Sequence, residues 1–135
     1  MKTKYKKQYL PLSKVKGRHF ISRPMDCRAV GMSFVRFKPG EGGPFLHRHK
    51  VQEEVYMTLK GAGTIILDGR RHPMPEGTVV RVSPRVNRAI GNESRRDVVF
   101  AVVGAIPPKG FPKGGRTLLG DSVPLRKKTV RWKKP

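Results

Sequence analysis

This chain is short of several things. It has one cysteine in 135 residues, Cys27, so no intrachain disulfide can form. That fits a reducing compartment, and the cytoplasm is the expected location. Acidic residues are scarce: 9 Asp and Glu stand against 30 Lys and Arg, for a formal net charge of +21. No apolar run approaches the roughly 18 residues that a membrane helix needs, so no membrane span is expected. The first ten residues carry charge with no apolar stretch behind it, and do not read as a secretory signal. No 3.6-residue period runs over several turns, and nothing repeats at solenoid spacing. A Ser/His/Asp or Cys/His nucleophile set is missing. The loop Gly40-Glu41-Gly42-Gly43 lacks the Lys-Ser/Thr that would make it a phosphate cradle.

What is present is one domain's worth of chain with strongly basic ends. Residues 1–18 hold seven basic residues and no acidic one, and residues 107–135 hold nine basic and a single acid, Asp121. The ends therefore carry +7 and +8, which leaves +6 for residues 19–106. Such a field attracts polyanions and speeds encounter with small anions. Nucleic acid is one partner class it allows, through the tails. No RNP aromatic set, helix-turn-helix pattern or zinc-finger spacing supports that class. Pro11, Pro107, Pro108, Pro112 and Pro124 interrupt the tails, so no basic amphipathic helix is expected to lie on a membrane.

Between the tails almost every segment reads as strand. Residues 28–37 are rich in β-formers and stop at Pro39-Gly40. Residues 54–60 form another strand, ended by Gly61-Ala62-Gly63; residues 64–67 follow, and Asp68-Gly69 is a hairpin turn. Short strands are expected over 78–82 and 88–90. Residues 97–106 are nearly all apolar and suit a central strand buried on both faces. Short strands separated by Gly and Pro turns indicate an all-β sandwich or barrel.

The chemistry gathers in two stretches. In the first, His47 and His49 are two apart, so in a strand both imidazoles share a face while Arg48 points away. Glu54 follows five residues on, and Gly61 closes the stretch. Glu53 alternates with Val55, Met57 and Leu59 and so faces away from Glu54. Two imidazoles and a carboxylate on one side of an ion leave its other positions open. Such a set suits iron, manganese, nickel, copper or zinc as the divalent ion, without choosing among them. The second stretch runs from Gly69 through Pro75-Glu76-Gly77 to Arg88 and Asn92.

Together these stretches resemble the two motifs of the cupin family. The resemblance implies a double-stranded β-helix, or jelly-roll barrel, over residues 28–106. A basic arm, 1–27, and a basic Pro/Lys-rich extension, 107–135, would flank it. It further implies a homodimer in which such flanks add a strand to the partner subunit. Metal ligands would be His47, His49 and Glu54. The family includes dioxygenases, isomerases, decarboxylases and non-enzymatic binders, so whether the chain is an enzyme stays open.

Arg88 departs from the family pattern, which usually has a third histidine there. A guanidinium has no lone pair to give and stays protonated, so it cannot be a ligand. Three arrangements follow. In the first, His47, His49 and Glu54 hold the metal alone, and Arg88, with Tyr56 beside it in the pocket, takes the acidic end of a small organic or sugar acid. In the second, no metal binds, Arg88 pairs with Glu54, and the pocket is a binding module for a small anion. In the third, Glu54 and Arg88 form a buried ion pair in a site without work. The intact His-x-His and Glu at full spacing favours the first, in which the metal polarises a carbonyl or binds dioxygen.

Other residues carry weaker expectations. His72, in a strand the family places near the barrel wall, and His19 read as surface or core-lining. Asn92 fixes a turn beside the site. Tyr56 and Thr58 share a face with Glu54. Met32, Phe34 and Arg36 share a face that is either core or pocket. Cys27 reads as a small buried hydrophobe.

Overall fold

The computed structural model describes residues 4–105 and 121–135. After a 3₁₀ turn at Leu12–Lys14 come ten strands. They are β1 (Arg18–Phe20), β2 (Val30–Phe37), β3 (Phe45–His49), β4 (Glu54–Lys60) and β5 (Ala62–Leu67). The second half follows as β6 (Arg70–Pro75), β7 (Val79–Val82), β8 (Arg88–Gly91), β9 (Val98–Ala105) and β10 (Ser122–Thr129). They make two five-stranded antiparallel sheets, ordered β1-β2-β9-β4-β7 and β10-β3-β8-β5-β6. The fold is all-β and is that of a double-stranded β-helix. No described helix is long and apolar enough to cross a membrane.

The local chemistry explains the strands. Asp68 and Gly69 both have positive φ, 46° and 85°, as a two-residue hairpin turn between Leu67 and Arg70 requires. β9 lies at the centre of its sheet, in register with β2 over eight residue pairs from Val30↔Ala105 to Phe37↔Val98. Val98 through Val102 are all buried, so both faces of β9 are covered, as its unbroken apolar run suggests. Pro73, Pro75 and Pro124 fall on β6 and β10, the two edges of the second sheet. An edge strand tolerates a residue with no N–H to donate.

The main core packs Val35, Tyr56, Ile65, Met74 and Phe100 between the sheets. On β2 the buried positions are Gly31, Ser33 and Val35. Met32, Phe34 and Arg36 take the opposite, half-buried face, outside the main core. Arg36 is held there by the N-terminal segment: Nε donates to Val15 O (2.7 Å) and Nη2 to Leu12 O (2.7 Å), with Asp97 at 3.0 Å. Cys27 is half-buried, not enclosed.

The sheets extend past residues 28–106 at both ends. β1 comes from the expected N-terminal arm and pairs with β2. β10 comes from the expected C-terminal extension and pairs with β3 of its own chain, with Ser122 opposite His49 and Pro124 opposite His47. Lys- and Pro-rich composition hides an edge strand, because such a strand needs only one apolar face.

Beyond β10 the chain folds over the second sheet and buries Trp132 against Ile66 and Ala89, with Leu46 and Val130 beside them. The indole N–H donates to Gly43 O at 2.7 Å. Gly42 and Gly91 lie so close beneath the ring that a Cβ on either would collide with it. Trp132→Ala should therefore cost about 3–5 kcal/mol, the usual range for a buried large aromatic. For a domain of this size that lowers the melting temperature by roughly 10 °C or more. A thermal melt checks it; a shift of only a degree or two would mean that the C-terminal segment does not pack here in solution.

Candidate metal centre

β3 carries His47 and His49 on one face, and β4 begins with Glu54 directly across from them. Arg48, between the histidines, is exposed. Nε2 of His49 is 3.1 Å from Glu54 Oε1, and Nε2 of His47 is 3.8 Å from the same oxygen. The ligand atoms of the three residues lie within 4.8 Å of one another. Two donors about 2.1 Å from an ion are about 3.0 Å apart at right angles and about 4.2 Å apart when opposed, and the two histidine contacts to Glu54, 3.1 and 3.8 Å, fall within that range. Glu53, by contrast, is exposed and pairs with Arg81 at 3.3 Å, as its alternation requires. His72 is exposed and His19 half-buried, and neither joins the cluster.

One essential partner has no motif to announce it. Asp121, just before β10, places Oδ2 2.9 Å from His49 Nδ1. It is itself buried, and its oxygens accept from Val51 N (2.9 Å) and Gln52 N (3.0 Å). A carboxylate on the far nitrogen of a ligating histidine fixes the tautomer: Nδ1 keeps its proton and Nε2 turns its lone pair to the site. The only hint in the sequence is that Asp121 is the sole acid in residues 107–135.

Glu54 is the electrostatic focus. Tyr56 donates its hydroxyl proton to Glu54 Oε1 at 2.6 Å, and Arg88 Nε is 3.5 Å from that oxygen. Burial alone would raise the Glu54 pKa, but the neighbouring imidazoles of His47 and His49, the charge on His49 and the Tyr56 hydroxyl outweigh it and hold the carboxyl well below its ordinary range. Burial would lower the His49 pKa, but Glu54 and Asp121 outweigh it and push it above 6.5. With a carboxylate on each ring nitrogen, a metal-free His49 is satisfied as the imidazolium. Tyr56, buried beside a carboxylate, is pushed well above its ordinary value and remains a neutral donor.

The raised His49 pKa contributes stability that is present below 6.5 and lost as pH rises through the folded value. The lowered Glu54 pKa contributes stability that is present above 4.5 and lost as pH falls through its folded value. For these two groups the chelated protein is most stable between those limits. Metal must displace the His49 proton, so affinity should rise by up to about tenfold per pH unit below the folded His49 pKa. Denaturant melts of chelated protein at pH 5.5 and 8.5, beside metal titrations at both, check it. Equal metal affinity at the two values would exclude proton displacement.

Arg88 is set back in the barrel wall. Its side chain is fully buried. Nη1 donates to Pro84 O (2.8 Å) and Val86 O (2.6 Å), while Nε and Nη2 have no hydrogen-bond partner among the described residues. The carbonyls of its own loop draw the guanidinium back into the barrel wall. Tyr56 is likewise buried, with its hydroxyl spent on Glu54. As placed, both shape Glu54 and neither lines the cavity. Asn92 does fix a turn: its amide donates to Phe37 O (3.0 Å) and Arg96 O (2.7 Å), and its carbonyl accepts from Ser94.

The three candidate ligand residues open onto a cavity of about 370 Å³. Arg18 and Phe20 of β1, Phe45 of β3 and Ser122 and Pro124 of β10 complete much of its wall. Both flanking segments thus build the site. A smaller space of about 40 Å³ lies behind Glu54, beside Ser33 and Gln52. It is water-sized, and the buried Gln52 Oε1 has no partner among the described residues.

Known structures share this architecture. A cupin protein from Bacteroides fragilis superposes with a TM-score of 0.71 at 24% identity, over 84% of this chain and 95% of that one. A candidate sugar phosphate isomerase from Acidithiobacillus ferrooxidans gives 0.61 at 23% identity, over 79% of this chain and 69% of that one. A sugar phosphate isomerase of the cupin superfamily from Silicibacter pomeroyi gives 0.57 at 24% identity, over 75% and 77%. At such identities the likeness is one of fold. No curated protein matches the chain. The family model for the cupin domain matches residues 33–104, more than half of the chain and spanning both motifs, and the protein therefore belongs to the cupin family.

Proposed function

We propose that this cupin holds a divalent transition metal through His47, His49 and Glu54 and acts there on a small anionic organic or sugar acid. One observation carries the proposal: three ligand atoms converge within 4.8 Å at the cavity, with the outer nitrogen of His49 clamped by a buried carboxylate. A surface His-x-His has no reason to be backed in this way. When bound, the ion would supply Lewis acidity or a site for dioxygen. The chain's own residues do the rest. Asp121 orients His49, Tyr56 donates a hydrogen bond to Glu54 with Arg88 3.5 Å from the same oxygen, and the walls select the ligand.

Charge supports an anionic ligand. A divalent ion and Arg88 face Glu54 and Asp121, which leaves one positive unit in a buried site. An anion entering the cavity compensates it. The names of the two sugar phosphate isomerases agree in charge class, though they belong to those proteins.

A metal-free binding module is the second reading. Its supporting observation is that the site neutralises itself without an ion: protonated His49 and Arg88 match Glu54 and Asp121. Protein purified without a histidine tag and analysed for metal decides between them. The first reading expects close to one divalent ion per chain. It also expects a melting temperature that falls when a chelator is added, since an ion at 100 times its dissociation constant stabilises by about 2.7 kcal/mol. Protein that takes up no ion and ignores chelators would establish the second. Size-exclusion with light scattering tests the expected homodimer.

A further inference from the structure

The cavity wall narrows the ligand further, given the anion-binding reading above. Phe20, Phe37, Phe45, Pro44, Pro124 and Ile90 make six of its thirteen lining residues, and Gly43 and Ala89 add no polar side chain. Its polar side chains are His47, His49, Glu54, Arg18 and Ser122, and the first three are committed to the metal. A polyhydroxylated ligand needs a partner for nearly every hydroxyl, because each one buried without a partner costs about 1–3 kcal/mol. One serine and one arginine cannot meet that need. A flat apolar body, in contrast, gains from each ring it covers.

The cations of the cavity region stand on the same aromatic rings. The Arg18 guanidinium, in the cavity wall, lies over Phe20, 6.0 Å from the ring centre, and donates to Ser33 Oγ at 3.1 Å; the exposed Arg126, outside the lining itself, lies over Phe45 at 5.4 Å. Phe20 and Phe45 both line the cavity, and β1 and β10 bring these pairs from opposite ends of the chain to the two sheets. A guanidinium seated on an aromatic wall offers a carboxylate a paired charge while the wall receives the body behind it. At about 370 Å³ the space is near the lower end of small-molecule sites, which run from about 300 to 1,000 Å³.

We infer that the ligand of this cavity is a small monoanionic acid with an aromatic or otherwise apolar body, and not a sugar acid or sugar phosphate. Arg18 and Arg126 receive its charge, and Phe20, Phe37 and Phe45 receive its body.

Calorimetric titration of the full chain with three probes tests this: phenylpyruvate, gluconate and glucose 6-phosphate. Phenylpyruvate and gluconate carry the same charge and differ in the body. Phenylpyruvate should bind at least tenfold more tightly than either sugar probe. Arg18→Gln and Arg126→Gln should each weaken it several-fold, and Phe45→Leu, which keeps the volume apolar, should weaken it less than either. Gluconate or glucose 6-phosphate binding as tightly as phenylpyruvate would overturn the assignment, as would unchanged affinity in both arginine variants. Metal analysis of the same samples separates two failures. Metal-loaded protein that ignores phenylpyruvate sinks the ligand class and leaves the metal reading standing. Metal-free protein that still prefers phenylpyruvate to gluconate sinks the metal reading and keeps the cavity assignment.

Discussion

Asp121→Ala should lower metal affinity by about 10–100-fold, although Asp121 is not a ligand. The geometry makes this residue the support of the site. Its carboxylate accepts hydrogen bonds from His49 Nδ1–H at 2.9 Å and from two backbone N–H groups, of Val51 and Gln52, in the turn between β3 and β4. That turn sets the approach of Glu54 to the histidines. Removing the carboxylate frees the His49 ring to rotate and to change tautomer, and leaves buried donors unpaired at about 1–3 kcal/mol each. Asp121→Asn is the controlled comparison. It keeps one acceptor oxygen for the backbone but loses the charge behind His49, so it should fall between the natural protein and alanine. His47→Ala should abolish stoichiometric uptake, since two donors do not hold a divalent ion in competition with water and chelators. Competition titrations with a metallochromic chelator measure all three. If Asp121→Ala binds as tightly as the natural protein while His47→Ala does not bind, His49 is held by something other than Asp121.

The same residue shows where sequence reading reaches its limit. Glu54–Lys60, the Asp68-Gly69 hairpin and the buried strand before residue 106 are legible because each is a local pattern: alternation, a turn dipeptide, an apolar run. His47, His49 and Glu54 are legible because all three candidate ligands lie within eight residues. Asp121 is 72 residues from His49, and only the pairing of β10 with β3 brings them together. β10 itself is hidden by Arg126, Lys127 and Lys128, which are exposed and give no alternating signal. The face of Met32, Phe34 and Arg36 is hard to assign from sequence for a related reason. A strand covered on both sides does not say which side holds the cavity, and here the N-terminal segment covers the outer one. A practical consequence follows for tests of polyanion binding by the basic tails. Cutting away residues 107–135 would also remove Asp121, β10 and Trp132, so charge-neutralising substitutions at exposed positions such as Lys127 and Lys128 are the sound alternative.

Arg88→His should raise metal affinity by about 100-fold and lower the stability of the chelated protein. Arg88 on β8 pairs in register with His47 on β3. Directly opposed residues hold their Cβ atoms about 4.5–5.5 Å apart, so an imidazole at position 88 would stand beside that of His47. It adds a donor and removes a fixed positive charge. At an effective dielectric of about 20, one unit charge about 5 Å from another is worth about 3 kcal/mol, or roughly 100-fold in affinity. The cost falls on the metal-free state. Pro84 O and Val86 O lose the donor that Arg88 supplies at 2.8 and 2.6 Å, and Glu54 loses a nearby cation. Chelated Arg88→His should melt below the chelated natural protein and rise above it once metal is added. Unchanged affinity would mean that Arg88 does not govern the ion. The predicted crossing of the two melting curves would mean that it does: it exchanges metal affinity for a permanent positive charge in the barrel wall. A weakly held ion beside such a charge suits a site that must attract and release an anion, whereas a four-ligand site would hold its metal more tightly with less charge left over for the ligand.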